Sequence, residues 1–205
     1  MVRLWDRQHI ASSNPQPKGH TMSRIPTPSS IETAPAAAQP LLQAVKTQLG
    51  SVPNMFRVIA NSPAALEGYL GLNAALAKGS LDAKTRERIA LAVAEINGCD
   101  YCLAAHTYLG KNIAKLDDAE LAANRNGASL DAKADAAVRF AARLVRARGH
   151  VSAMDVEAVK SAGHSDADVV EIVSHVALNT LTNYVNETAK TVVDFPAVRP
   201  AQAAA

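Results

Sequence analysis

The sequence places two cysteines and a histidine in one short segment. Residues 98–106 spell Gly-Cys-Asp-Tyr-Cys-Leu-Ala-Ala-His, so Cys99, Cys102 and His106 follow one another at intervals of three and four residues. On a helix, where successive residues turn by about 100°, the three side chains fall within roughly 60° of one another. We expect Cys102 and His106, an (i, i+4) pair, to be neighbours. Two close thiols, one of them beside a base, suit reversible formation of a disulfide.

The position of Cys99 leaves open which cysteine attacks a substrate. Cys99 follows an Asn-Gly break and is expected at a helix start, where unpaired backbone N–H groups and the helix dipole favour a thiolate. The contact with His106 favours a thiolate at Cys102 instead. We therefore predict that Cys102 attacks and that Cys99 resolves the product, with the reverse order as the alternative.

A carboxylate on the preceding helix is the fourth candidate. Glu87 falls among alanines and a leucine on the helical wheel, outside the sector that holds the other charged residues Lys84, Arg88 and Glu95. A carboxylate on an apolar face is either paired or functional. We predict that Glu87 orients the proton relay of His106, and an ion pair with an arginine is the structural alternative.

Three other interpretations of the cysteines stay open. Cys99, Cys102 and His106 are possible zinc ligands, although they span about 10 Å of helix, which is awkward for one tetrahedral ion. Two small buried hydrophobic residues would have the same spacing without any chemistry. A non-enzymatic redox-responsive module, whose disulfide alters assembly or partner binding, would also need this pair.

The composition limits the class of protein. Of 205 residues, 48% are hydrophobic and 4% aromatic, and the net charge is +2. A chain rich in alanine and poor in aromatic residues favours packed helices over sheets. Without a basic block, a long apolar run or a signal peptide, we expect neither a nucleic-acid partner nor a membrane partner. Two cysteines are too few for a disulfide scaffold and predict redox or metal chemistry in the cytoplasm.

The chain divides into an arm, a helical domain and a tail. Residues 1–40 contain six of the ten prolines and predict an extended or disordered arm, in which 1–21 could be an upstream extension before Met22. Residues 41–196 form the predicted domain, and 197–205 a disordered tail. Apolar periodicity, capping residues and glycines predict an all-α fold. Its helices are expected over about 41–49, 55–60, 63–78, 82–96, 99–115, 117–126, 131–148 and 166–188, with another start at Ser152.

The chemical motif resembles that of a known family. Glu87, eleven further residues, and then Cys99-x-x-Cys102-x-x-x-His106 are similar to the core motif of the AhpD-like alkylhydroperoxidases, in the carboxymuconolactone decarboxylase superfamily. The resemblance covers residues 40–196. Its C-terminal part is similar to the peroxidase-related branch, through the segments Ala162-Gly163-His164-Ser165, Asn179-x-x-x-Asn183 and Asp194-Phe195-Pro196.

The resemblance implies both a fold and an activity. It implies an AhpD-like helical bundle that forms trimers or hexamers and reduces hydroperoxides through the cysteine pair, with Glu87, Cys99, Cys102 and His106 as catalytic residues. A thiol or dithiol, either a protein or a small molecule, must then reduce the disulfide. No cofactor and no metal are predicted. Tyr101 stands where the best-known members have a histidine, which leaves the identity of the reductant open. The decarboxylases lack the cysteine pair, which argues against decarboxylation.

Two further groups have polar interpretations. His175 falls in a polar sector of the last helix, and we expect it to be solvated or at an interface. Asn179 and Asn183 form an (i, i+4) pair of amides that we expect to hydrogen-bond across a helix contact.

Overall fold

The computed structural model describes residues 23–201, and within this range the protein is all-α, as predicted. A 3₁₀ turn at Ala36–Ala38 precedes the first α-helix. The described residues form nine α-helices: α1 Gln39–Leu49, α2 Asn54–Ile59, α3 Pro63–Leu76, α4 Ala83–Ile96, α5 Asp100–Asn112, α6 Asp118–Arg125, α7 Ala132–Arg146, α8 Ala153–Ser161 and α9 Asp166–Ala189. None of these helices is long and apolar enough to cross a membrane.

Side-chain caps explain most of the helix starts. The side chains of Ser62, Asp82, Asp117 and Asp131 each accept a hydrogen bond from a backbone N–H in the first turn of α3, α4, α6 and α7. Capping boxes begin α8 and α9, formed by Ser152 with Asp155 and by Ser165 with Asp168. Helix α1 begins two residues earlier than predicted, because Pro40 fits the first turn of a helix, where its missing N–H has no intrahelical partner.

Helix α4 is the centre of the bundle and packs against α5, α6, α7 and α9. It is buried nearly all round, since Ile89, Leu91 and Val93 are fully buried. One apolar cluster lies on the side of α1, α2 and α5 and includes both cysteines. The other fills the space between α4, α7, α8 and α9. Helices α5 and α9 both pack on α4 and carry most of the polar groups of the candidate site.

The arm and tail are bound to the domain where the structure describes them. The backbone of Arg24 donates a hydrogen bond to the carbonyl of Ala189, at the open end of α9, at 2.6 Å. The backbone of Ala201 donates to Glu95 at 2.6 Å. Residues 23–35 are irregular, and both this segment and residues 197–201 make hydrogen bonds to the domain. The predictions for residues 1–21 and 202–205 lie outside the described residues.

A buried ion pair ties α4 to α6. Arg88 Nε lies 2.7 Å from Glu120 Oε1, and both side chains are buried. Burial alone would raise the pKa of Glu120, but hydrogen bonds from Ser129, Asn124 and the backbone of Leu130, together with Arg88, lower the pKa to about 2. The ion pair therefore fixes α4 one residue away from Glu87.

We expect Glu120→Gln to lower the free energy of unfolding by about 3 kcal/mol at neutral pH, because it leaves the buried Arg88 unpaired. The carboxylate stabilises the fold above its ordinary pKa of 4.5, and this contribution is lost as the pH falls toward about 2. The difference between the two proteins should therefore shrink over that range in urea unfolding curves. Asp118→Asn, in the exposed pair with Lys111, is the control and should cost at most about 0.5 kcal/mol. A loss that does not change with pH would contradict this account.

Candidate active site

The turn between α4 and α5 makes a sulfur atom the N-cap of α5. Gly98 has a positive φ of 64°, a conformation that favours glycine, and the backbone of Cys99 then donates to the carbonyl of Ala94 at 3.0 Å. The N–H of Cys102 donates to Cys99 Sγ at 3.4 Å. Both cysteines are free thiols and almost completely buried, with Cys99 0% and Cys102 2% exposed. The two sulfur atoms are thus held at the positive end of a helix.

Glu87 and His106 form a couple on the accessible side of the site. His106 Nδ1 lies 2.9 Å from Glu87 Oε2, and the two side chains are 21% and 23% exposed. Burial opposes a charged imidazole, but the carboxylate of Glu87 and the sulfur of Cys102 outweigh burial and raise the pKa of His106. Among the described residues, the ion-pair partner of Glu87 is therefore His106, and no arginine pairs with it.

Two asparagines of α9 reach the site from the buried side. Asn186 Nδ2 donates a hydrogen bond to Cys102 Sγ at 3.3 Å. Asn183 Oδ1 accepts one from Asn97 Nδ2, at the end of α4, at 2.8 Å. The predicted hydrogen bond across a helix contact is thus confirmed for Asn183, whereas Asn179 donates to the carbonyl of His175 in its own helix. No sequence pattern indicated Asn186, because nothing in the chain places α9 beside the cysteines.

The surroundings of the two sulfur atoms separate their pKa values. A hydrogen bond from Cys99 lowers the pKa of Cys102 to about 6, against the opposing effect of burial and with further help from His106 and Asn186. The same sulfur–sulfur hydrogen bond, together with burial, raises the pKa of Cys99. The negative charge is therefore stabilised on Cys102.

Two tyrosines, Tyr101 and Tyr69, lie near the cysteines in different surroundings. Tyr101 is buried, accepts a hydrogen bond from the backbone of Met55 at 3.2 Å, and packs edge-on against Phe195. Tyr69 is half-buried, packs edge-on against Phe56 at 5.9 Å, and has its pKa raised by burial and by the charges of Cys102 and Glu87. Tyr69 thus lies within electrostatic reach of the site, and no sequence pattern indicated it.

His175 is not solvated, contrary to one of the two roles expected for it. It is 4% exposed, and its Nε2 makes no hydrogen bond. Burial, followed by the charge of Arg86, lowers its pKa. Within residues 23–201, no group of three or more His, Cys, Asp or Glu side chains is arranged to hold a metal ion.

Comparison with known proteins finds the family that the sequence motif resembles. A sequence profile of the carboxymuconolactone decarboxylase family matches residues 63–147, which include all four candidate residues. An uncharacterized peroxidase-related protein from Silicibacter sp. TM1040 is 26% identical, with a TM-score of 0.73 over 86% of this chain and 94% of its own. An uncharacterized peroxidase-related protein with an alkylhydroperoxidase AhpD core, from Ralstonia eutropha JMP134, is also 26% identical. Its TM-score is 0.75 over 85% of this chain and 94% of its own. Residues 63–147 thus match the carboxymuconolactone decarboxylase family, and the chain has the AhpD-like fold.

More distant or partial matches add less. The debrominase Bmp8 is 18% identical, with a TM-score of 0.68 over 82% of this chain and 90% of its own, and shares the fold alone. An uncharacterized protein from Haemophilus influenzae is 56% identical over 45 residues, 22% of this chain and 40% of the relative. The chain spans about half the length of the curated relatives it matches.

We expect alkylation of the reduced protein by iodoacetamide to begin at Cys102, with a midpoint at about pH 6. Asn186→Ala should raise this midpoint by about one unit, because it removes a hydrogen bond to the thiolate. Asn179→Ala, which removes an amide about two turns from Asn186 on α9, should leave the midpoint unchanged. Peptide mass spectrometry identifies the modified cysteine at each pH. First alkylation at Cys99, or a midpoint at an ordinary thiol value of about 8.5, would contradict this charge distribution.

Proposed function

We propose that the protein is a thiol-dependent peroxidase of the alkylhydroperoxidase type. The observation that carries this proposal is that Cys102 lies between a second thiol, Cys99, and the Glu87–His106 couple. Its sulfur lies beside a second thiol, and the neighbouring groups lower its pKa to about 6. The Glu87–His106 couple, with 2.9 Å between Oε2 and Nδ1, supplies a base and proton carrier next to it.

The reaction divides into two balanced steps. In the first, the Cys102 thiolate attacks one oxygen of the hydroperoxide, so that an S–O bond forms and the O–O bond breaks. The leaving alkoxide takes a proton from His106, whose charged form is stabilised by Glu87. In the second, the Cys99 thiol attacks the sulfur of the Cys102 sulfenic acid, which gives a disulfide and releases water.

A reductant must complete the cycle. A dithiol, or two monothiols, donates two electrons and two protons and returns both cysteines to the thiol form. A cytoplasmic location, where thiol reductants keep cysteines reduced, fits this requirement. Since Tyr101 is fixed by packing and by its hydrogen bond to the backbone of Met55, specificity for the reductant would come from other residues.

We expect steady consumption of hydroperoxide when dithiothreitol is supplied, and an intramolecular Cys99–Cys102 disulfide when it is withheld. Mass spectrometry of thiol-blocked protein distinguishes the disulfide from free thiols. Both thiols remaining free after exposure to peroxide would refute the proposal. A single oxidation without turnover would support the non-enzymatic redox-responsive module instead.

Substitutions should separate the four roles. Cys102→Ser should abolish turnover, whereas Cys99→Ser should permit one oxidation and leave a sulfenic acid on Cys102 that dimedone traps. Glu87→Gln and His106→Ala should slow the oxidation by about 10²–10⁴-fold, the usual contribution of general acid–base catalysis. Trapping in Cys102→Ser but not in Cys99→Ser would reverse the assigned order of the cysteines.

We also propose that the protein forms a homo-oligomer through the exposed side of α9. The exposed positions Val170, Val173, Ala177, Leu181 and Tyr184 follow one another at intervals of three and four residues, and none is charged. This spacing forms one apolar stripe along the helix. Such a surface is typical of an interface, and an uncharged stripe of this kind suits a second copy of the same chain.

We expect light scattering to give a multiple of 21.5 kDa, a trimer or hexamer by the family resemblance. Leu181→Glu should dissociate the assembly, because it places a charge within the stripe. Met154→Glu, at an exposed apolar position on α8, is the matched control and should not. A wild-type monomer at micromolar concentration would refute the oligomer.

A further inference from the structure

The amide of Asn183 is held in one orientation. Asn183 is 0% exposed, and its Oδ1 accepts a hydrogen bond from Asn97 Nδ2 at 2.8 Å. Because the oxygen and the nitrogen of an amide point in opposite directions, this contact directs Asn183 Nδ2 away from Asn97.

The Nδ2 group of Asn183 is buried and makes no hydrogen bond in the structure. A buried donor without a partner is unfavourable and calls for an explanation. Its neighbour one turn along the same face of α9 is Asn186, which donates to Cys102 Sγ at 3.3 Å. The Asn183 side chain acts as a donor toward Cys102 and helps to lower its pKa, which places the amide near the same sulfur even though the two make no well-formed hydrogen bond. An N–H group without a well-formed hydrogen bond therefore lies close to the reactive atom.

The proposed reaction supplies the missing acceptor. When the Cys102 thiolate attacks a hydroperoxide, an oxygen atom becomes bonded to the sulfur, and this oxygen is a stronger hydrogen-bond acceptor than sulfur. We propose that Asn183 is a catalytic residue whose Nδ2 donates a hydrogen bond to the oxygen transferred to Cys102, and that Asn97 positions it. This inference rests on the proposed peroxidase function.

The hydrogen bond fits the proton balance of the reaction. The S–O bond forms as the O–O bond breaks, and the leaving oxygen takes its proton from His106 on the accessible side. Asn183 gives up no proton and only stabilises charge on the oxygen that stays with the sulfur. The leaving oxygen and the retained oxygen are thus served by two different groups, His106 and Asn183.

Two reactions of the same thiolate test this role. Hydrogen peroxide transfers an oxygen to Cys102, whereas iodoacetamide transfers a carbon, for which an oxygen-binding group is of no use. At about pH 8, where the thiolate is fully formed, Asn183→Leu should slow oxidation by about 10²-fold, the typical effect of removing one such donor. The rate of alkylation by iodoacetamide should change by less than about twofold. Equal slowing of both reactions, or no slowing of either, would overturn the proposal.

Two further variants complete the experiment. Asn97→Ala leaves Asn183 in place and frees its amide to turn, so oxidation alone should slow, by about tenfold, even if Asn183→Leu fails to fold. Asn179→Leu is the matched control on α9, and both rates should stay at the wild-type value, since its amide serves the carbonyl of His175. Normal oxidation in Asn97→Ala would count against the proposal. If the wild-type protein is alkylated but not oxidised, the peroxidase function itself fails, which is a separate result.

Discussion

The turn at Gly98 is the constraint on which the candidate site depends. It ends α4 and lets α5 begin at once, with Cys99 Sγ accepting the N–H of Cys102 where most helices of this protein use a serine or aspartate oxygen. A sulfur atom in this position is both a structural cap and a reactive group. The same turn places Glu87 on α4 opposite His106 on α5, so one local reversal of the chain brings all four candidate residues together.

The rest of the bundle serves to keep α4 in place. The Arg88–Glu120 pair fixes it to α6, and its fully buried apolar face fixes it to α7 and α9. Glu171 adds a further restraint, since its carboxylate accepts hydrogen bonds from the backbone of Ser80 and Leu81 just before α4 begins. A shift of α4 would separate Glu87 from His106, whose contact at 2.9 Å needs both helices in register.

The four candidate residues could be predicted from the sequence because they lie within twenty positions of one another. Helical spacing determines which side chains of one helix are neighbours, and Cys99, Cys102 and His106 all belong to one helix and its cap. Asn186 could not be found in this way, because it is 84 residues from Cys102 and reaches it only through the packing of α9. The contacts of residues 23–35 have no sequence signal for a related reason, since prolines predict the lack of regular structure but not what an irregular segment binds.

The position of the charge follows from the asymmetry between the two sulfur atoms. Cys99 accepts from the backbone at the helix start, which on its own would favour a thiolate there. Cys102, in contrast, receives hydrogen bonds from Cys99 and from Asn186 and lies beside His106, and these contacts together outweigh its burial. A thiolate at Cys102 then keeps the neighbouring Cys99 protonated, because two adjacent negative charges repel each other in a buried site. The helix start therefore stabilises the pair as a whole, while α9 and His106 decide which of the two sulfur atoms carries the charge.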